Sequence, residues 1–304
     1  MLNHPGKKYL IVVAGPTAVG KTAAAIQIAE ELGTEIISAD SRQFYSELNI
    51  GVARPSEDEL RTVKHHFIGH ISITTPYTAA DFEKDALAVL SQLFTSHNYV
   101  VVAGGSGLFI NALLNGLDDL PSDEELREQL SRNLETEGLE VLAEQLKQLD
   151  IESYSTIDIN NPRRVIRALE ICLASGKKAS KLRMNNAAKR DFIPIKIALN
   201  LDRELLYSRI NQRVDVMMNT GLLKEVEGLL PHRSLNSLQT VGYKELFDYF
   251  DGSTSLNEAV DLIKQHTRNY AKRQLTWFRK DTDYSWFEPT QTGEMLQHIK
   301  SVSL

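Results

Sequence analysis

A chain of 304 residues with 42% hydrophobic and 24% charged residues has the length and balance of a soluble globular protein of one large or two ordinary domains. No apolar run approaches the ~18 residues of a membrane span. One cysteine, Cys172, excludes an intrachain disulfide, points to a reducing cytoplasm and sits in a helical pattern as a small core residue.

The net charge of −6 argues mildly against a nucleic-acid binder, yet it hides segregation. Asp118 to Glu152 holds twelve acidic and three basic residues; Asn160 to Arg190 holds nine basic and one acidic; Ile263 to Lys280 holds six basic and none acidic. Such blocks create local fields that the total conceals, although each block alone also fits a solvated helix face.

In chain order, YLIVVA at Tyr9–Ala14 is a short, β-branched apolar run closed by Gly15-Pro16. It reads as a buried parallel strand, not as a signal peptide, because it flows straight into the loop that follows. Gly15-Pro16-Thr17-Ala18-Val19-Gly20-Lys21-Thr22 fits G-x-x-x-x-G-K-[ST] at every fixed position. Lys21 to Leu32 continues as a helix that Gly33 stops. Strand, glycine loop and helix in that order are the context that gives the motif its meaning. Backbone N–H groups turn in on phosphate oxygens, the lysine adds charge, the helix N-terminus adds its dipole, and Thr22 would ligate Mg²⁺.

EIISA at Glu35–Ala39 is a second strand, ending at Asp40-Ser41-Arg42-Gln43. Asp40 can be a magnesium ligand, a general base or a turn cap at Ser41. His65-His66 lacks other metal ligands at useful spacing and reads as a turn feature. Thr78 caps a helix running through Phe82, Ala86, Leu90 and Leu93. YVVVA at Tyr99–Ala103 is a third strand. It opens into Gly104-Gly105-Ser106-Gly107, where a ligand, a second polymer or a tight turn approaches the bare backbone. This strand lacks the terminal acidic residue by which triphosphatases order water.

From about Leu120 to Arg190, leucines at intervals of three and four, then Pro162 as a helix start and Gly176 as a stop, predict an all-helical insertion. IKIALNL at Ile195–Leu201 is a fourth strand, followed by a helix from Arg203 to Met218 with Arg209 and Arg213 four apart on one face, a position that faces the phosphates in small phosphoryl-transfer folds and that isolated arginines otherwise hold as surface residues. Ser255 to Arg279 predicts one helix or a pair. Its TRNYAKRQLTWFR mixes cations with aromatics, which suits stacked bases and a phosphate backbone, or else forms a core stripe. The expected fold is α/β: a P-loop NTPase-like parallel sheet flanked by helices, with a core of residues 1–119 and 191–304 and the helical insertion at 120–190. Two function classes survive: a small-molecule or nucleotide kinase with the insertion as a lid, and a transferase whose loop grips a diphosphate leaving group while basic faces grip RNA. A non-catalytic nucleotide-binding regulator fits the placing of Asp40 and the arginines less well.

GPTAVGKT, EIISADSRQFY, NIGVARPS, VVAGGSGLFINALLNG, NPRRVIRALEI with SGK, QRVDVMMNTGLLKEV, QTVGYKEL and TRNYAKRQLTWFR run in one order from residue 11 to about 280. Together they resemble the tRNA dimethylallyltransferases, also called tRNA isopentenyltransferases. Ser106 stands where that family usually has Thr, and Phe109 where Tyr is common. The resemblance implies transfer of a dimethylallyl group from its diphosphate to the exocyclic amine of the adenosine just 3′ of a tRNA anticodon. It assigns Asp40 as base, with Thr17, Arg213, Lys21 and Mg²⁺ on Thr22 at the diphosphate. It also implies tRNA contacts at Asp40, Ser41, Arg42, Gln43, Ser106, Arg127, Asn161, Pro162, Arg163, Arg164, Val165 and Arg273. A cytoplasmic monomer acting on a tRNA anticodon stem-loop, with no membrane and no obligate protein partner, is the corresponding expectation.

Overall fold

The computed structural model describes residues 6–183 and 187–303. The chain divides into two compact units, one of residues up to 114 and from 190 onward, the other of residues 115–189.

The first unit opens with β1 (Tyr9–Ala14), α1 (Lys21–Leu32), β2 (Ile36–Ser38), α2 (Glu57–Thr62), β3 (His65–His66), α3 (Ala79–Leu93), β4 (Tyr99–Gly104) and α4 (Gly107–Asn115). The second unit is helical: α5 (Glu124–Glu137), α6 (Leu139–Leu149), α7 (Ile151–Thr156), α8 (Pro162–Ser175) and α9 (Ala179–Leu182). The chain then returns through β5 (Ile193–Leu199), α10 (Arg203–Asn219), α11 (Leu222–Gly228), α12 (Tyr243–Phe250), α13 (Leu256–Phe278), β6 (Ser285–Phe287) and α14 (Thr292–Ser303).

The six strands form one parallel sheet in the order β3-β2-β4-β1-β5-β6. β1 lies inside it, so both its faces are covered. Tyr9, Ile11 and Val13 enter one core cluster, and Leu10, Val12 and Ala14 enter the cluster on the opposite face. That is why the run is continuously apolar instead of alternating. Each such side chain contributes roughly 1.5–3 kcal/mol by leaving water. α1 packs on this sheet through Ala24, Ala25, Ile28 and Ala29, and the three small alanines allow a close approach. It ends where Gly33 adopts the left-handed conformation and returns its N–H to Ala29 and Glu30. A third cluster lies under α10 to α13, including Val214, Leu222, Tyr243, Leu246 and Ile263.

Some boundaries differ from the sequence reading. β5 begins two residues early and includes Pro194, which pairs with Leu10 of β1. β6 pairs only with Ile197–Leu199, so the missing N–H of Pro194 costs no bond on that side. His65-His66 is an edge strand rather than a turn, with His66 Nε2 2.6 Å from the Glu35 carboxylate. α13 is a single 23-residue helix, started by a capping box of Ser255 and Glu258. Among the described residues no helix is long and apolar enough to cross a membrane.

In the helical unit, Leu130, Leu142, Leu146, Val165, Leu169 and Cys172 share one core. Cys172 is buried there and burial pushes its thiol pKa up, as befits an inert core residue. Two carboxylates are fully buried in this unit, Asp150 and Glu170. Burial opposes the charge of Asp150, but bonds from Ser153 and Ser180 outweigh it and bring the pKa down to about 2.

Candidate active site

The phosphate-loop sequence folds as a tight turn between β1 and α1. Gly20, the helix N-cap, has φ 109°, a region that side-chain-bearing residues rarely adopt. Val19 turns into the core beneath the loop. Lys21 Nζ donates to the carbonyl of Pro16 at 2.7 Å. Burial pushes its pKa down to about 8, against the pull of Asp40 and with a further push from Arg213. The loop thus holds a half-buried ammonium on one of its own carbonyls, a contact that an anion can replace.

Two arginines of α10 close the loop from the other side. Asp202 starts that helix by accepting from the N–H groups of Glu204 and Leu205. Arg209 Nη1 then reaches the carbonyl of Val19 at 3.4 Å, and Arg213 Nη1 reaches Thr17 Oγ1 at 3.2 Å. Burial lowers the Arg213 pKa, and Asp40 opposes that shift. At the end of β2, Asp40 Oδ1 accepts from the Arg42 N–H at 3.0 Å, closing a short turn. The turn-capping role and a site role coexist, because the same side chain also lines two cavities.

One cavity, of about 410 Å³, is walled by the loop, including Thr17, Gly20, Lys21 and Thr22. The other, of about 610 Å³, is walled by residues of α10, α12 and α13 and by Ser41, Arg42 and Arg273. Thr17, Asp40, Arg213 and Tyr270 line both. A phosphate-bearing group in the first chamber and a nucleophile in the second would therefore meet at these four residues. The donor set suits magnesium. Thr22 offers a hydroxyl in the loop cavity, and among the described residues no three His, Cys, Asp or Glu side chains converge as a metal cage. An ion here would draw most of its ligands from phosphate and water, as magnesium does.

A family model described as IPP transferase matches residues 43–281. The chain belongs to the IPP transferase family. The tRNA dimethylallyltransferase of Christiangramia forsetii is 52% identical over 281 residues, covering 92% of this chain and 93% of that one. Among solved structures, the full-length tRNA isopentenylpyrophosphate transferase of Bacillus halodurans is similar at a TM-score of 0.73 and 35% identity, over 98% of this chain and 97% of that one. A eukaryotic dimethylallyltransferase acting on tRNA gives a TM-score of 0.73 at 28% identity, over 89% and 70% of the two chains.

Several motifs of this IPP transferase turn out to hold one another. Glu225 accepts from the N–H groups of Ile50 and Gly51 and from the Tyr243 hydroxyl, which joins NIGVARPS, QRVDVMMNTGLLKEV and QTVGYKEL at one carboxylate. Gln43 donates to the carbonyls of Val52 and Ala53. Arg42 Nη1 donates to the carbonyls of Asn236 and Ser237. Ser106 accepts from the Ser41 N–H at 3.1 Å and donates to its hydroxyl at 3.3 Å. What approaches the glycine run is α13. A Cβ on Gly105 would lie 2.2 Å from Gln274 Nε2, and one on Gly107 the same distance from the Trp277 ring.

Two residues of α13 enter the site, Tyr270, which the sequence marks only as one aromatic of the mixed stripe, and Gln274, which it does not mark. Tyr270, whose hydroxyl is pushed up to about 12 by burial and then by Asp40, against Arg42, a hydrogen bond with Ser106 and Arg273, lines both chambers. Gln274 is buried, accepts from the Thr17 N–H at 2.8 Å and donates to the Gly105 carbonyl at 2.9 Å. The aromatic–cation mixture of TRNYAKRQLTWFR was the only available signal. Within it, Arg273 lies 5.8 Å from the Tyr270 ring, while Phe278 and Ala271 are core.

In the helical unit, Asn161 caps α8, with its side chain accepting from the Arg164 N–H, and Pro162 fills the first turn. Arg163 and Arg164 are exposed. Val165 is the exception in that segment. It is fully buried in the core of the unit and offers no surface to a polynucleotide, because the helical period turns it inward. Arg127 forks onto the buried Glu170 at 2.8 and 3.2 Å, and Arg167 reaches the same carboxylate at 3.0 Å. Burial raises the Glu170 pKa, but Arg127, the Asp123 N–H and Arg167 outweigh it and hold the carboxyl below its ordinary range.

Proposed function

We propose that this IPP transferase moves a dimethylallyl group from dimethylallyl diphosphate to the exocyclic amine of the adenosine immediately 3′ of a tRNA anticodon, giving N6-dimethylallyladenosine and diphosphate. The observation that supports it most is the shared wall of Thr17, Asp40, Arg213 and Tyr270 between a phosphate-loop chamber and a second chamber. The relatives named above carry the same activity in their names.

In this reading the diphosphate lies in the loop of Gly15 to Thr22, on N–H groups other than that of Thr17, which Gln274 holds, with Lys21 leaving Pro16 to meet it. The allylic carbon–oxygen bond breaks as the carbon–nitrogen bond forms, and the amine proton passes to Asp40. Arg213 and Lys21 stabilise the charge that develops on the leaving diphosphate. Magnesium held by Thr22 would, when bound, neutralise further charge on that diphosphate. No phosphoryl group moves, so the acidic residue that orders water in triphosphatases has no task here.

The target base leaves the anticodon stack to reach Asp40. Ser41, Arg42, Gln43, Ser106 and Arg273 would line its path, while Arg127, Arg163 and Arg164 with Asn161 and Pro162 would contact the tRNA from the helical unit. The protein works as a cytoplasmic monomer. Incubation with dimethylallyl diphosphate, magnesium and an adenosine-bearing anticodon stem-loop should yield the prenylated base by mass spectrometry. No product with RNA, alongside phosphorylation of a small acceptor by ATP, would overturn the reading. Asp40→Asn should slow single-turnover transfer by about 10²–10⁴ and leave calorimetric binding of dimethylallyl diphosphate within a few-fold. Equal losses in both would make Asp40 a structural or metal-holding group.

A further inference from the structure

Gln274 of α13 bonds two loops of the core unit at once. Its Oε1 accepts from the Thr17 N–H at 2.8 Å and its Nε2 donates to the Gly105 carbonyl at 2.9 Å. The chemistry of the partners fixes which end faces which, since an N–H only donates and a carbonyl only accepts. Gly105 is shaped to receive it, for any Cβ there would lie 2.2 Å from Nε2. From Gly105 the chain of contacts continues to Ser106, which accepts from the Ser41 N–H beside Asp40. From Thr17 it continues to Arg213. Tyr270, Gln274 and Trp277 follow one another at intervals of four and three residues, so the helix face that carries Gln274 also carries two aromatics of the mixed stripe.

We infer that Gln274 is a positioning residue that fixes the distance between the diphosphate end of the site, at Thr17 and Arg213, and the base end, at Ser41 and Asp40. The inference rests on the transferase reading above. A primary amide is the side chain that fits, because it supplies an acceptor and a donor at opposite sides of one planar group. Displacement of about 1 Å between reacting groups is enough to cost orders of magnitude in rate. The consequence is a loss in the chemical step, not in the binding of either substrate.

The test compares wild type with Gln274→Met, Gln274→Glu and Gly105→Ala, using dimethylallyl diphosphate and the anticodon stem-loop. Gln274→Met removes both bonds, and Gly105→Ala pushes the intact amide away, so one variant stands in if the other does not fold. Each should lower single-turnover transfer at saturating substrates about 10–100-fold, while the Kd values for inorganic diphosphate and for the stem-loop stay within about threefold. Gln274→Glu keeps the acceptor. It regains the donor only when its carboxyl is protonated, so its rate relative to wild type should rise as pH is lowered from 8 to 6. Taking the ratio removes the titration of Lys21, Asp40, Glu59, His65 and Tyr270 around the same cavity, which wild type shares. Wild-type-like transfer in Gln274→Met, a loss confined to diphosphate binding, or a flat Gln274→Glu ratio would each overturn the positioning role. An inactive wild type would instead overturn the functional reading, and this inference with it.

Discussion

The phosphate loop of the core unit and the interior of the helical unit hold opposite charges and treat them differently. At the phosphate loop the half-buried charged groups are cations. Lys21 rests on the Pro16 carbonyl and Arg213 on the Thr17 hydroxyl, with no carboxylate bonded to either among the described residues. In the helical unit the buried groups are carboxylates, and they are saturated. Glu170 takes two arginines, a backbone N–H and Ser122, while Asp150 takes four bonds from Ser153 and Ser180. Burial dominates for the cations and lowers both pKa values. Hydrogen bonds dominate for the carboxylates and lower theirs. A half-buried charge with weak partners is prepared for a ligand, whereas a buried one with complete partners holds a fold together.

The sharpest way to break this contrast is to remove the cations. Lys21→Met and Arg213→Met should each cut transfer by about 10²–10³ in single-turnover assays, with the melting temperature unchanged or raised. A marked fall in melting temperature would show that these cations are structural after all. Glu170→Gln should do the reverse. Its loss leaves two arginines without their carboxylate, and denaturant unfolding should show about 3 kcal/mol less stability. A value near zero would mean that the saturated network carries no weight.

The pH dependence follows from the sign of the Lys21 shift. Its pKa in the folded protein is lowered to about 8, so the free site loses its positive charge as pH rises through that value. Diphosphate affinity by calorimetry should fall about tenfold between pH 7 and 9, and Lys21→Arg should flatten the slope. The same shift makes the folded state bind fewer protons than the unfolded chain between pH 8 and 10.5. This group therefore adds stability as pH rises through that window and penalises the fold below it. The smallest effect belongs to Arg273, exposed on α13. Arg273→Ala should reduce the slope of log affinity against log salt for the stem-loop by about one, and leave diphosphate binding unchanged.

Much of the fold is legible because its elements are locally over-determined. β1 is apolar throughout since both faces are covered, the loop needs its glycines, and α1 has a glycine stop. β3 and β6, of two and three residues, are too short to show a period. Pro194 masked the true start of β5, because only its neighbours reveal that the lost N–H faces no partner. In the site, Thr17, Asp40 and Arg213 are legible as chemistry-bearing types at motif positions. Their convergence with Tyr270 is not, since the four come from four separate stretches. Val165 shows the limit of reading a motif as a block, for Arg163 and Arg164 before it are exposed and it is not.

The sequence by itself therefore determined the phosphate loop, the parallel α/β class, the helical character of the 120–190 stretch and the candidate chemistry of Asp40. Local spacing and residue type suffice for those. Only the tertiary structure decided that Lys21 and Arg213 are half-buried beside Asp40, that Glu170 is a closed hub, and that Gln274 reaches across to Thr17 and Gly105. Each of these depends on what surrounds a side chain, and burial and partner geometry are set by residues up to 257 positions apart in the chain.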